Sequence, residues 1–231
     1  MDLVCSFDDE QALAAYRPYF DVVSSVPQEA GFYLCLRQGV LALCRGADSS
    51  GVHIAISDVR RRLRGDFLLG RACGINRSAP VHILDGTAGL GVDGLALALA
   101  GQRVTLVERE PVLWALLHNL LERSADLDVL LELDDCARQL VRAAQMPYDV
   151  IYLDPMFPAR GKNALPGKRL QYLAELLHDA EPFDEDLLEL AQTRARSRVV
   201  VKRRLKDPAL GRPDWSIRGR SVRYDVFQGR G

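Results

Sequence analysis

Four short apolar runs, each closing on an acidic residue, dominate the middle of the chain: VHILD (81–85), RVTLVE (103–108), VLLELD (129–134) and DVIYLD (149–154). Between them lie stretches with helical character. These are GVDGLALALAG, then PVLWALLHNLLERS with Pro111 suited to a first helical turn, then a helix across Cys136–Ala144. Apolar strands separated by about 10 to 15 helical residues specify a parallel sheet with helices on both faces. A longer helical stretch, about 167–195 and interrupted near Pro182, leads to a fifth strand, SRVVVKR (197–203). WSIRG (215–219) and SVRYDVF (221–227) lack an intervening helix and are expected to pair antiparallel at the sheet edge.

Residues 1–78 carry no glycine-loop motif. Phe32–Leu36 and Val40–Cys44 flank a Gln-Gly pair and predict a hairpin, and the alternation of His53–Ser57 predicts another strand. The expected fold class is therefore α/β. A Rossmann-like, mostly parallel seven-stranded sheet, with helices on both faces and an antiparallel C-terminal strand, occupies 79–231. Residues 1–78 form a small N-terminal α/β extension that can contact a partner. No apolar run approaches the roughly 18 to 20 residues that cross a membrane. MDLVCSFDDEQ opens acidic, without a secretory pattern. The five cysteines are odd in number and form no C-x-x-C pair, which fits a reducing cytoplasm.

Asp85-Gly86-Thr87-Ala88-Gly89-Leu90-Gly91 sits where the first strand of the series hands over to a helix. Glycines there let a ligand approach the backbone, although a tight turn that binds nothing, or a nicotinamide or flavin site, uses the same device. Glu108 ends the next strand, placed to accept hydrogen bonds from both ribose hydroxyls of a nucleoside. Asp134 and Asp135 end the third strand, either within reach of an adenine amino group or serving as a helix cap. Asp93 opens the first helix, near the amino-acid end of a cofactor. The acids Asp85, Asp93, Glu108 and Asp154 suit the ammonium and sulfonium of S-adenosylmethionine better than the pyrophosphate of a dinucleotide. The four histidines show no metal-ligand spacing, and neither a G-x-S-x-G elbow nor a P-loop lysine is present.

Directly after the fourth strand comes Asp154-Pro155-Met156-Phe157-Pro158. In an open parallel sheet the carboxyl end of a central strand faces the ligand crevice. There the Asp154 carboxylate and the Pro155 carbonyl can accept the two N–H donors of a planar amine, hold the nitrogen and aim it at an electrophilic methyl. Phe157 offers a stacking surface for an extruded base. The plain alternative is a rigid strand-ending turn with a core phenylalanine. Charge is uneven: from Arg194 to Arg230 there are twelve Arg and Lys against three Asp. Lys162, Lys168 and Arg169 follow the turn, Lys202, Arg203 and Arg204 leave the fifth strand, and Arg60, Arg61, Arg62 and Arg64 form a further cluster. Such concentrations read as RNA-phosphate contacts or as solvated surface.

With those residues in view, the chain resembles the bacterial 16S ribosomal RNA guanine-N2 methyltransferases of the RsmJ type. The matching stretches are DGTAGLGVDGLALALAGQRVTLVEREPVLWALL (85–117), VIYLDPMFP (150–158), RVVVKR (198–203) and VRYDVF (222–227). The resemblance implies a class I fold, S-adenosylmethionine as cofactor and methylation of guanosine 1516 of 16S rRNA, free or in the small subunit, with no metal and no membrane partner. Carried onto this chain, it implies cofactor contacts at Val92 and Asp93, Glu108 and Arg109, Asp135 and Cys136, and Asp154. Family members often have Arg where Val92 stands, and a glycine-rich basic segment where this chain reads RRRLRGDFLLGRACG. A methyltransferase acting on another amine, an RNA-binding module without turnover and a nicotinamide oxidoreductase are the competing readings.

Overall fold

The computed structural model describes residues 1–5, 13–23, 31–64, 67–75, 79–124, 127–142, 148–155, 168–176 and 185–231. The repeating part of the sequence builds β6 (His82–Asp85), α3 (Val92–Leu99), β7 (Arg103–Glu108), α4 (Pro111–Glu122), β8 (Val129–Leu133), α5 (Cys136–Arg142) and β9 (Tyr148–Leu153). After α6 (Lys168–Leu176) and α7 (Glu185–Arg194) come β10 (Ala195–Arg204), β11 (Trp215–Arg218) and β12 (Val222–Gln228). Their order across the sheet is β11-β12-β10-β9-β6-β7-β8. β12 runs antiparallel between β10 and β11, and the other neighbouring pairs are parallel. From β6 the chain winds outward through β7 and β8, then returns to lay β9 on the other side of β6. That reversal opens a crevice at the carboxyl ends of β6 and β9.

Side chains alternate across the sheet with the period of a strand. Ile83, Val150, Val200 and Val226 face a core shared with α3 and α4, while Leu84, Ile151, Val199, Val201 and Phe227 face one shared with α5 and α7. Burial on both faces is why these strands read as unbroken apolar runs.

The N-terminal unit contains β1 (Asp2–Cys5), β2 (Asp21–Val23), β3 (Phe32–Arg37), β4 (Val40–Arg45), β5 (Asp48–Val52), α1 (Ile56–Arg62) and α2 (Leu68–Cys73). Its five-stranded sheet has the order β2-β1-β3-β4-β5. The expected hairpin is β3–β4, paired Phe32 to Arg45 through Arg37 to Val40. The expected strand at His53–Ser57 is corrected: residues 53–55 are irregular and α1 begins at Ile56. The strand lies earlier, at Asp48–Val52, and α1 is set by its inward Val59, which is wholly buried.

The two sheets share one apolar cluster. Leu34, Leu36, Leu41 and Leu43 of the first belong to the same core as Leu113, Leu116 and Leu117 of α4. The Asn119 side chain adds polar ties at the join, accepting from Leu41 N–H (2.9 Å) and donating to the Gly39 carbonyl (3.0 Å). Among the described residues no helix is long and apolar enough to cross a membrane.

Candidate active site

Asp85, Glu108 and Asp154 stand at or just beyond the carboxyl ends of β6, β7 and β9, and Asp134 and Asp135 follow β8. The topology therefore brings the expected acids to one edge. The loop from Gly86 to Gly91 crosses the crevice and ends in α3. Gly91, at φ 70°, caps that helix, and a Cβ there would strike both its own left-handed backbone and Leu117. Gly86 packs on Cys136 Sγ, and the thiol of this expected cofactor residue is buried. Gly89 is different. Its φ is 56°, and the space where a Cβ would stand holds only the Thr87 carbonyl, at 3.9 Å. This is an open face of backbone beside Glu108.

Glu108 is 7% exposed and accepts from Gly89 N–H (2.7 Å) through one oxygen and from Glu110 N–H (2.8 Å) through the other. Burial pushes its carboxyl up to about 7, against the pull of those backbone donors. Asp85 is almost fully buried and accepts from Thr87 N–H at 3.2 Å; burial raises it well above the usual carboxylate range.

The remaining acids are already engaged. Asp135 Oδ1 accepts from the backbone of Ala137 (2.9 Å) and Arg138 (3.3 Å), capping α5. Asp134 is paired with Arg138 (3.2 Å) and Arg142 (2.7 Å). Asp93 takes Arg62 Nε on Oδ1 (2.6 Å), and Lys202 Nζ (2.7 Å) and the Tyr152 hydroxyl (2.7 Å) on Oδ2. Burial opposes its ionisation, yet Lys202 and Arg62 overcome that and hold it at about 2. The acids at this edge are thus not a bare negative surface, because two cations neutralise part of it. Val92 and Asp93 begin α3, whose first-turn N–H groups and positive dipole end suit a carboxylate.

Asp154 is held at two points. Its backbone N–H donates to Thr87 Oγ1 (2.6 Å), and its Oδ2 accepts from Lys202 Nζ (2.6 Å). The side chain remains 36% exposed. Burial raises its carboxyl and Lys202 draws it back. Pro155 is buried behind it. Phe157 and Lys162 lie outside the described residues, as does the Arg169 side chain.

The basic cluster on β10 divides. Lys202, expected to hold RNA phosphate, is instead committed to Asp93 and Asp154. Arg203, expected likewise, is 7% exposed and donates to the Pro208 carbonyl at 2.7 Å. Both expectations are corrected by strand alternation, which turns 202 toward α3 and 203 toward the opposite core. Arg204 is exposed, as is Arg109, and Lys168 donates to Ser50 Oγ at 2.9 Å. Sequence reasoning missed Thr87, Tyr152 and Arg62 as site residues. For Arg62 a signal existed: it stands three residues after inward-facing Val59, on the same face of α1.

A strand order with one antiparallel member, a glycine loop with an open backbone face and a buried acid, Glu108, at the end of the next strand are the marks of a class I S-adenosylmethionine-dependent methyltransferase. A family profile described as "Putative SAM-dependent methyltransferase" matches residues 23–229. "Ribosomal RNA small subunit methyltransferase J" of Alkalilimnicola ehrlichii is 38% identical, over 98% of this chain and 94% of that protein. The protein of the same name from Pseudomonas aeruginosa strain PAO1 is 40% identical, over 82% and 79%. The crystal structure of a SAM-dependent methyltransferase from Neisseria gonorrhoeae superposes with a TM-score of 0.78 at 26% identity, covering 100% of this chain and 97% of that one. The chain belongs to the small-subunit ribosomal RNA methyltransferase J family.

S-adenosylmethionine fits the residues present. Its ribose would meet Glu108, its adenosine would lie along the open backbone at Gly89, and its carboxylate would face the α3 N-terminus. Among the described residues no group of three or more His, Cys, Asp or Glu is placed to hold a metal ion.

Proposed function

We propose that the chain methylates N2 of a guanosine in 16S ribosomal RNA, guanosine 1516, yielding N2-methylguanosine and S-adenosylhomocysteine. The observation that carries this is Asp154: a carboxylate fixed at its backbone and one oxygen, open to the crevice beside the cofactor loop. When bound, the cofactor supplies an electrophilic methyl on a cationic sulfur. Asp154 and the Pro155 carbonyl accept the two N–H donors of the amine, which directs the nitrogen lone pair along the line of transfer. No covalent enzyme intermediate is needed, and the proton released by the methylated nitrogen passes to Asp154 or to water.

Phe157 stacks on the extruded base in this reading, and Lys162, Lys168, Arg169 and Arg204 hold flanking phosphates. The exposed Arg60 and Arg61 of α1, with Arg64 just beyond the helix, extend that basic rim. Residues 79–231 are the methyltransferase domain, residues 1–78 an extension that adds to the RNA face, and such a substrate places the enzyme in the cytoplasm. Binding to RNA should weaken steeply with salt, with a slope of log affinity against log salt well beyond one. Filter-binding across a salt series measures it, and a flat line removes the arginines from RNA recognition. The deciding experiment supplies small subunits, or their naked RNA, from a strain lacking the enzyme and maps the nucleotide that gains label. Label on a different amine overturns the assignment.

Glu108 imposes a pH dependence on cofactor binding. Ribose hydroxyls donate to the ionised carboxylate and so select it over the protonated form. With the carboxyl at about 7, affinity rises as pH increases through that value and levels off above it. Glu108→Ala should weaken S-adenosylmethionine by about tenfold or more and flatten the profile. Calorimetric titration reads both, and unchanged affinity would place the ribose elsewhere.

A further inference from the structure

Four charged side chains form an unbroken series at the catalytic turn: Arg62, Asp93, Lys202 and Asp154. They come from α1, α3, β10 and the end of β9, so the series crosses from the N-terminal unit to the centre of the main sheet. Tyrosines close it on two sides. Tyr152 donates to Asp93, and the Arg62 guanidinium donates to the Tyr224 hydroxyl. Stability does not account for such an arrangement, since buried ion pairs roughly break even against apolar residues of similar volume. Fixing one carboxylate in one orientation does account for it.

We propose that Lys202 is a positioning residue for methyl transfer: anchored on Asp93, and through Asp93 on Arg62 of the N-terminal unit, its ammonium holds Oδ2 of Asp154 so that Oδ1 faces the target amine. The inference rests on the reading of Asp154 as amine acceptor. Among the described residues Oδ1 has no hydrogen-bond partner, while Oδ2 lies 2.6 Å from Lys202 Nζ and the Asp154 backbone is tied to Thr87. A carboxylate pinned at one oxygen and at its own backbone cannot rotate the other oxygen away. Lys202 is only 22% exposed and spans two carboxylates, with Nζ at 2.7 Å from Asp93 and 2.6 Å from Asp154. Its place is held from the far side, because Arg62 occupies Oδ1 of Asp93 and leaves Oδ2 for the lysine. The N-terminal unit thereby supplies a member of the active centre.

The same series governs ionisation. The charged or titratable groups acting on Asp154 are Lys202 from β10, Asp93 from α3, Arg62 from α1, Asp85 from β6 and Tyr152 from β9, while Tyr224 of β12 acts on Asp93, Arg62 and Lys202. Lys202 and Arg62 are the cations that favour the charged carboxylate; burial and the two other aspartates oppose it.

The test combines two readouts on the full-length chain. One is the single-turnover rate against pH, using small subunits from a strain lacking the enzyme. The other is carboxyl-carbon NMR titration of Asp154 in the cofactor-free protein, assigned by its loss in Asp154→Asn. Lys202→Met should slow transfer by about 100-fold at neutral pH. It should also move the Asp154 titration, and the acid limb of the rate profile, upward by about one unit or more. Arg62→Met, which keeps the lysine, should shift both in the same direction by less. A wild-type rate profile and an unmoved titration in Lys202→Met overturn the proposal, as does a slowed rate with an unmoved titration. If Lys202→Met does not fold, the Arg62→Met titration decides in the same two ways. Full activity in Asp154→Ala brings down the amine-acceptor reading and the proposal with it, whereas an inactive Asp154→Ala beside a normal Lys202→Met defeats the proposal alone.

Discussion

Asp154→Ala lowers the single-turnover rate of methyl transfer by about a hundred- to a thousandfold while leaving the melting temperature within a few degrees of wild type. The loss is that of an acceptor placed where the amine must be gripped. The fold tolerates the change because Asp93 remains as a partner for Lys202 and because the Thr87 contact involves only the Asp154 backbone. Cofactor affinity, read separately by calorimetry, should fall far less than the rate. A variant with normal turnover would show that the amine is held by other groups.

Asp225→Ala has the largest expected effect on stability, about 3–5 kcal/mol, or roughly ten degrees in melting temperature for a chain of this size. Arg223 and Asp225 lie two apart on one face of β12 and pair at 2.8 and 3.0 Å, their side chains only 9% and 1% exposed. Arg223 Nη1 also donates to the carbonyls of Arg204, Leu205 and Asp207, the last at 2.7 Å, closing the turn after β10. Ser216 of β11 donates to the same aspartate at 2.6 Å. Removing the carboxylate strands a buried guanidinium and leaves the serine without its acceptor. Denaturant melts measure the cost, and a loss below about 1 kcal/mol would mean that water or a neighbour restores the pairing.

The strands of the main sheet were readable in sequence: β6, β7, β9 and β10, buried on both faces, announce themselves as apolar runs, and β8, though partly exposed, is leucine-rich enough to read the same way. The acids that close β6 and β7 and follow β8 and β9 forecast the crevice because a parallel sheet collects its strand ends at one edge. The N-terminal sheet was less legible. β1 and β2 have four and three residues, too few to display a period, and β5 reads DSSGV, without apolar alternation. His53–Ser57 alternates for another reason: Ile54 is buried beneath an irregular segment and Ile56 opens a helix.

At the site, composition misled where alternation was the better guide. Lys202, Arg203 and Arg204 look like one basic patch, yet neighbouring strand residues point to opposite faces, and only Arg204 reaches the surface. The VRYDVF segment divides in the same way. Arg223 and Asp225 stabilise one face, while Tyr224 meets Arg62 on the other. Asp134 and Asp135 had two readings, and the structure shows the helix-side one: Asp135 caps α5 and Asp134 pairs with two arginines of the same helix.

Eight of the twelve residues of α4 are buried, since the helix is sandwiched between the N-terminal sheet, which precedes it in the chain, and the main sheet, most of whose strands follow it. That placement sets an order of events during synthesis. The first sixty residues leave the ribosome with an apolar face whose lid has not yet been made, and the lid is useless until the strands around it exist. The N-terminal sheet therefore gains its apolar cover only once α4 has been made and seated on the strands of the main sheet.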